Sequence, residues 1–373
     1  MHLGLILDEE RLQHEHGMFH AVRSQLEDQG HSVSCIVPES DEHLDAQRRR
    51  FPTDGARADL GDDVHEYPVR RTRRRRYAVL SELARTLDRE PIDVLYAIGH
   101  NAWPVAFEFA SICECPLMLD IWNAPLVKKV PRGRAPEALA ALVASTPAIA
   151  AALRQRVDPN LVNVVPFGVE LPTEPRTVLP DDDDMKSLAI LGNCTDMKAY
   201  RATLNATREL LEASPNLQVF LELRGPHQHD VWRLAQKLDL LDRISSLNDG
   251  AMFRPLLRHC DVIAVPERLG RVRSLVYEAM AAGIPTVIGD DPWIDLKALE
   301  PHDQPAVRTS NRAENWIESL TSVLESPARA RHIGAVGRDW IRCHHTVDRQ
   351  VSDLLATAEG VLRGGAYAFP AST

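Results

Sequence analysis

No stretch of this 373-residue chain is apolar for long enough to span a bilayer, which takes about 20 residues. The N-terminus, MHLGLILDEERL, has no extended apolar core of the kind a secretory signal needs. It reads as a first strand, LGLIL, that ends in acid. There is no excess of positive charge. The net charge is −10, which argues against general attraction to nucleic acid. Nor is there a cysteine framework. The six cysteines, at 35, 113, 115, 194, 260 and 343, are dispersed and sit mostly in apolar runs, as reduced thiols of a cytoplasmic protein do. Cys113 and Cys115 form CEC, which lacks the two-residue gap of a zinc knuckle, and no second Cys or His pair answers it. What is present is ordinary: 44% hydrophobic and 26% charged residues, in a length that fits two domains.

The first half alternates strand and helix signals. LGLIL is followed by a loop, DEERLQHEHG, ending at Gly17, and then by an amphipathic helix, MFHAVRSQLEDQG. HSVSCIVP is the next strand, and residues 39–69 are polar and irregular. After the basic run 70–76 come the helix YAVLSELARTL, the strand VLYAIG, the helix HNAWPVAFEFASIC and the strand PLMLDIW. EALAALVAS fits either a helix or a helix with a short strand. TPAIAAALRQRV is a helix and LVNVVPFG a strand. This repeated order implies a parallel sheet covered on both faces. LPTEPRTVLPDDDD, residues 171–184, has three prolines and four consecutive acids and reads as a linker. The alternation then restarts at SLAILGN and runs to a last helix, TVDRQVSDLLATAEGVL. The expected division is 1–172, a linker 173–186, a second domain 187–344 and a C-terminal helix 345–364.

The most informative stretch is 260–291, CDVIAVPERLGRVRSLVYEAMAAGIPTVIGDD. It reads as strand, charged loop, helix, turn, strand. Ser274 is the expected N-cap, Gly283 the C-terminal glycine, and Pro285 stops the helix. Arg271, Ser274 and Glu278 share a face by helical spacing. A helix start preceded by arginines attracts anions, and a carboxylate one turn in accepts hydrogen bonds from hydroxyls. An ordinary crossover helix with a solvated Glu is the competing reading.

YEAMAAGIPTVIGDD at this place in two parallel-sheet domains resembles the retaining nucleotide-sugar glycosyltransferases of the GT-B fold, the large family around sucrose, trehalose and mannosyl transferases. The resemblance runs over nearly the whole chain. It implies two Rossmann-like domains facing a cleft, and transfer of a sugar from a nucleotide diphosphate to a glycan, lipid-linked or small-molecule acceptor, with no cofactor or metal. Glu278 matches the second Glu of the family's E-x7-E element, which holds the donor ribose. LGNCTDMK matches the loop of the donor diphosphate, with Lys198 on its Lys. Gly17 falls on the family's glycine loop, and the last helix on one that packs back on the N-terminal domain. Three positions depart from the pattern. The first Glu of E-x7-E is Gly270, the diphosphate Arg is Asn193, and an N-domain His is Trp122. Arg271 and Arg273 are candidates to supply the lost positive charge.

The donor set implied is therefore Gly17, Asn193, Lys198, Arg271, Arg273, Ser274, Leu275 and Glu278. Lys198, His100 and Asp120 are the candidates for the chemistry, and His16 and Trp122 for the acceptor side. Each has a plainer reading: a solvated lysine, polar lining, a strand-terminal acid. His14 and His16 in QHEH lie two apart with no further ligand in view, so a metal is not expected. Arg70–Arg76 is either a solvated helix start or a patch for an anionic acceptor or membrane surface, which would put the protein at the inner face of the membrane. Three functions remain open: a glycosyltransferase; a GT-B-like binding or partner protein that has lost catalysis at the three replaced positions; and, as the weaker option, a GT-B isomerase or epimerase of nucleotide sugars, whose expected histidine and acid placements are not visible.

Overall fold

The computed structural model describes residues 1–39, 64–68, 73–87, 90–130, 137–174, 185–247, 254, 256–257, 259–271, 273–294, 296 and 304–364. They form two compact units: Met1–Gly168 with Val347–Thr373, and Val169–Thr346.

The first unit is a seven-stranded, all-parallel sheet in the order β3-β2-β1-β4-β5-β6-β7. Its strands are β1 (His2–Leu7), β2 (Ser32–Pro38), β3 (Val64–Tyr67), β4 (Val94–Ile98), β5 (Leu117–Ile121), β6 (Leu139–Ala144) and β7 (Val162–Val164). Between and after them run α1 (Glu9–Asp28), α2 (Arg73–Thr86), α3 (Trp103–Cys113), α4 (Ala124–Val127), α5 (Pro147–Arg154) and, from the far end of the chain, α11 (Val347–Arg363). Helix α11 packs against α1 and β6, and Gln350 accepts from the Gly168 amide at 2.8 Å. β1, β4, β5 and β6 are buried along their whole length, as expected of central parallel strands with helices on both faces.

The first loop differs from the sequence reading. Asp8 caps α1 directly, accepting the Arg11 amide at 2.9 Å, with Glu9 and Glu10 in the first turn. Helix α1 is continuous through Gly17, so Gly17 is not a loop glycine and His16 is a buried helical side chain. The run EERLQHEH consists of adequate helix formers behind a strong cap, which outweighs one interior glycine. EALAALVAS contributes strand β6, buried throughout. The polar stretch 39–69 contains the short edge strand β3.

The second unit is a six-stranded parallel sheet in the order β10-β9-β8-β11-β12-β13. Its strands are β8 (Lys186–Ile190), β9 (Leu217–Glu222), β10 (Ile244–Leu247), β11 (Val262–Val265), β12 (Thr286–Gly289) and β13 (Val307–Thr309). Its helices are α6 (Met197–Ala213), α7 (Gln228–Lys237), α8 (Ser274–Ala281), α9 (Ala313–Leu324) and α10 (Pro327–His344). Trp316, Tyr200, Leu204, Leu188, Val219 and Val262 are among the side chains of one contiguous core. Helix α8 ends as its sequence implies: Gly283, at φ 81°, donates to Met280, and Ile284 donates to Ala279. Its N-cap is Arg273, without a side-chain cap bond, so Ser274 is the first helical residue.

Among the described residues, no helix is long and apolar enough to cross a membrane.

Candidate functional site

The strand order of the second sheet reverses between β8 and β11. In open α/β sheets such a reversal leaves a crevice at the carboxyl ends of the strands, where ligands bind. β8 sends Leu191–Asp196 to that point, and β11 sends Pro266–Arg271. The two loops are tied together by Glu267. Its carboxylate, 1% exposed, accepts from the amides of Asn193 at 2.7 Å and Asp196 at 3.2 Å, the Thr195 amide, and the Thr195 hydroxyl at 2.7 Å. Convergent amides of this kind form an anion-binding nest, and here the anion belongs to the chain. Glu222, at the end of β9, takes the Gly192 amide at 3.1 Å and pairs with Arg273. Arg271 donates to the Thr195 hydroxyl. Asp196 caps α6, accepting the amides of Lys198 and Ala199 at 3.1 Å. The Lys198 side chain, at the start of that helix, is exposed.

Glu278 rides on α8 and is half-buried. Arg254 holds it with two bonds, Nε to Oε2 at 2.9 Å and Nη2 to Oε1 at 3.1 Å. The Ser274 hydroxyl lies 3.3 Å from Oε1. At Gly270 the amide donates to Asp291 at 2.7 Å. Burial raises the Asp291 carboxyl above its ordinary range, against the Gly270 and Trp293 amides, which lower it. A carboxylate thus stands beside position 270, delivered from the end of β12.

The first sheet reverses between β1 and β4. Asp8, at the end of β1, accepts from both Arg11 and Asn101 and so pins both strand ends. Gly99, at φ 90°, has no room for a side chain because the Asp8 carboxylate packs on it. His100 is half-buried, edge-on to Trp103. Burial, then the charge of Lys129, lowers its pKa, so it is neutral at pH 7. Behind these residues lies a buried charge cluster. Arg11, 2% exposed, stands 4.7 Å from the Trp122 ring, 5.0 Å from Phe167 and 5.5 Å from Phe19. Glu15 lies 3.5 Å and Asp120 3.7 Å from its guanidinium. Burial pushes the Asp120 carboxyl up to about 7, with Arg11 opposing it.

Residues 173–340 match the family Glycosyl transferases group 1. Solved structures share the fold over almost all of the chain. Sucrose-phosphate synthase from Thermosynechococcus elongatus is 13% identical over 98% of this chain and 100% of its own, with TM-score 0.70. HepE from Anabaena, solved with UDP and glucose, is 14% identical over 95% of this chain and 99% of its own, with TM-score 0.70. A glycosyltransferase from Rickettsia africae is 10% identical over 98% and 99%, with TM-score 0.67. No curated protein sequence matches the chain. The chain is a GT-B glycosyltransferase, and its second unit is of group 1.

Within this glycosyltransferase, Asn193, Lys198, Arg271, Arg273, Ser274, Leu275 and Glu278 all lie on the loops and helix starts around the β8/β11 reversal. Arg273 departs from expectation: it is 4% exposed and paired with the fully buried Glu222, so its charge is internally neutralised. Leu275 is a buried core contact of α8. Asn193 is buried, and its Oδ1 has no hydrogen-bond partner among the described residues. Gly17, His16, His100, Asp120 and Trp122 belong to the other unit. Of these, His100 and Gly17 are partly exposed and the other three are buried. Asp120 is 2% exposed and Trp122 covers Arg11, so both serve the interior. Glu267, Glu222, Arg254 and Arg11 escaped the sequence reading. Glu267 had a visible signal, a lone acid after the strand-ending Pro266. Arg11 and Glu15 show only an i,i+4 charge pair.

Proposed function

We propose that this glycosyltransferase takes its sugar from a nucleotide-diphosphate donor held by the second unit and transfers it with retention and without a metal. One observation carries the donor assignment: Lys198, Arg271 and Glu278 gather at the β8/β11 reversal of that unit. The fold shared with HepE, solved with UDP and glucose, supports it. As the glycosidic bond breaks, charge grows on the departing diphosphate. Lys198 and Arg271 stabilise that charge, and the positive end of α6 adds to the same field. Glu278 accepts the ribose hydroxyls. The departing phosphate takes the acceptor proton, so no separate base is required. Glu267 holds the amides of the β8–α6 loop inward, which leaves the diphosphate to side chains.

The acceptor is assigned to the first unit, with neutral His100 as its polar lining. Asp120, His16 and Trp122 are left to the fold. Arg74 and Arg75 on α2 are exposed, while Arg76 pairs with Glu108. The exposed pair is assigned to an anionic acceptor or anionic membrane surface. Arg70 and Arg71 lie outside the described residues.

The test is to incubate the full chain with UDP-, GDP- and ADP-glucose, with and without EDTA. Nucleotide release and the anomeric proton signal of the product are followed. Release insensitive to EDTA, with the donor's anomeric configuration kept, is expected. Nucleotide binding without turnover of any sugar donor in a wider panel would overturn the assignment of transfer. Co-sedimentation with vesicles that ignores their phosphatidylserine content would remove the membrane contact.

A further inference from the structure

We propose that Arg254 is a positioning residue for the donor: it fixes the Glu278 carboxylate in the orientation that reads the ribose. The proposal rests on the ribose role given to Glu278 above. Its observations are independent of that role. Arg254 lies in the segment before β11, 24 residues ahead of Glu278, and meets it with two separate nitrogens on two separate oxygens. A two-point fork fixes the plane of the carboxylate as well as its charge, which a lysine in the same place does not do. The Ser274 hydroxyl, one turn back on α8, reaches the same Oε1.

The geometry has a specific consequence. An ionised carboxylate offers about four lone-pair directions. Arg254 occupies one on each oxygen, and Ser274 a second on Oε1. The remaining acceptor capacity is therefore concentrated on Oε2. Ribose recognition at this carboxylate then leans on one hydroxyl more than on the other.

The pair is only partly buried. Its side chains are 26% and 27% exposed, so water screens part of what the ion pair contributes to folding. The buried Arg273–Glu222 pair differs in this respect, since it lies inside the unit. What Arg254 supplies is preorganisation. Without it, Glu278 samples several rotamers on a helix surface, and a ligand must order it on binding.

The test uses the full chain and UDP, GDP and ADP, each beside its 2′-deoxy and 3′-deoxy form, with binding measured by calorimetry. The variants are Arg254→Ala, Arg254→Lys and Glu278→Ala, with unfolding midpoints recorded for each. The native protein is expected to prefer one of its ribonucleotides over one deoxy form by about tenfold or more, as for a hydrogen bond to a charged group. Glu278→Ala removes that preference. Arg254→Ala removes most of it with little change in midpoint, and Arg254→Lys falls between. With the sugar donor, KM rises in Arg254→Ala while kcat changes less. A preference kept at its native value in both Arg254 variants overturns the proposal while the role of Glu278 stands. A preference that survives Glu278→Ala overturns the role of Glu278 itself. Should Arg254→Ala not fold, the Lys variant carries the same decision.

Discussion

The two switch points handle charge in opposite ways. In the first unit, Arg11 is enclosed by three aromatic rings with Glu15 and Asp120 beside it, and almost none of this charge meets solvent. In the second, carboxylates at strand ends are bonded to loop amides and to arginines, and Lys198 stays exposed beside them. A closed cluster of the first kind specifies the fold of its own unit. The second cluster is open only at its edge: Glu267, Glu222 and Arg273 are enclosed and hold the loops, while Lys198 is exposed. Similar residue types are thus enclosed in both sheets, and the second differs in keeping Lys198 exposed and Glu278 partly exposed beside them.

The largest effect is expected where closed charge is broken. Arg11→Ala leaves buried carboxylates without their cation and should cost about 3–5 kcal/mol in denaturant unfolding. Arg273→Ala should behave in the same way, because Glu222 is fully buried. If Arg273→Ala instead left stability intact and raised donor KM, the second cluster would be more open than described.

Glu267→Ala should come next, at about 1–3 kcal/mol, since it strips the acceptor from amides of the β8–α6 loop. Donor KM should rise with it.

Asp120→Asn sharpens the contrast through pH. The folded carboxyl titrates near 7 and the unfolded one near 3.8. Between those values the folded chain holds the extra proton, so this group's contribution is full below pH 3.8 and is lost as pH rises toward 7. Asp120→Asn should flatten that part of the stability profile, read from unfolding midpoints at pH 4 to 8. An unchanged slope would place Asp120 in a wetter setting. The smallest effect belongs to Arg74→Ala with Arg75→Ala: no shift in midpoint, with loss only of binding to anionic vesicles.

Much of this contrast was legible beforehand in the second unit. SLVYEAMAAGIP carries its own helix, C-terminal glycine and stop, and strand patterning put it at a sheet reversal. The partners of its charges were not legible. Arg273 and Arg271 look equivalent in sequence, yet one faces inward to Glu222 and the other reaches Thr195. That choice depends on which side of the loop each Cα presents, which periodicity cannot give where no regular element exists. Glu267 is hard to single out in sequence because the E-x7-E spacing points to position 270, three residues on. In the first unit, the strands are legible from their apolar runs, but the helix expected from Met18 begins nine residues earlier, at Glu9. Gly17 reads as a turn in sequence, although Asp8 satisfies one of the orphan amides at the helix start, that of Arg11.

The claim that the open cluster is the donor site is tested most directly by initial-rate kinetics on Lys198→Ala and Glu278→Ala, with Asp120→Asn as the control from the closed cluster. The expected result is a donor KM raised about tenfold or more in the first two, at unchanged unfolding midpoints, and near native in the third. Native donor KM and kcat in both Lys198→Ala and Glu278→Ala would contradict it.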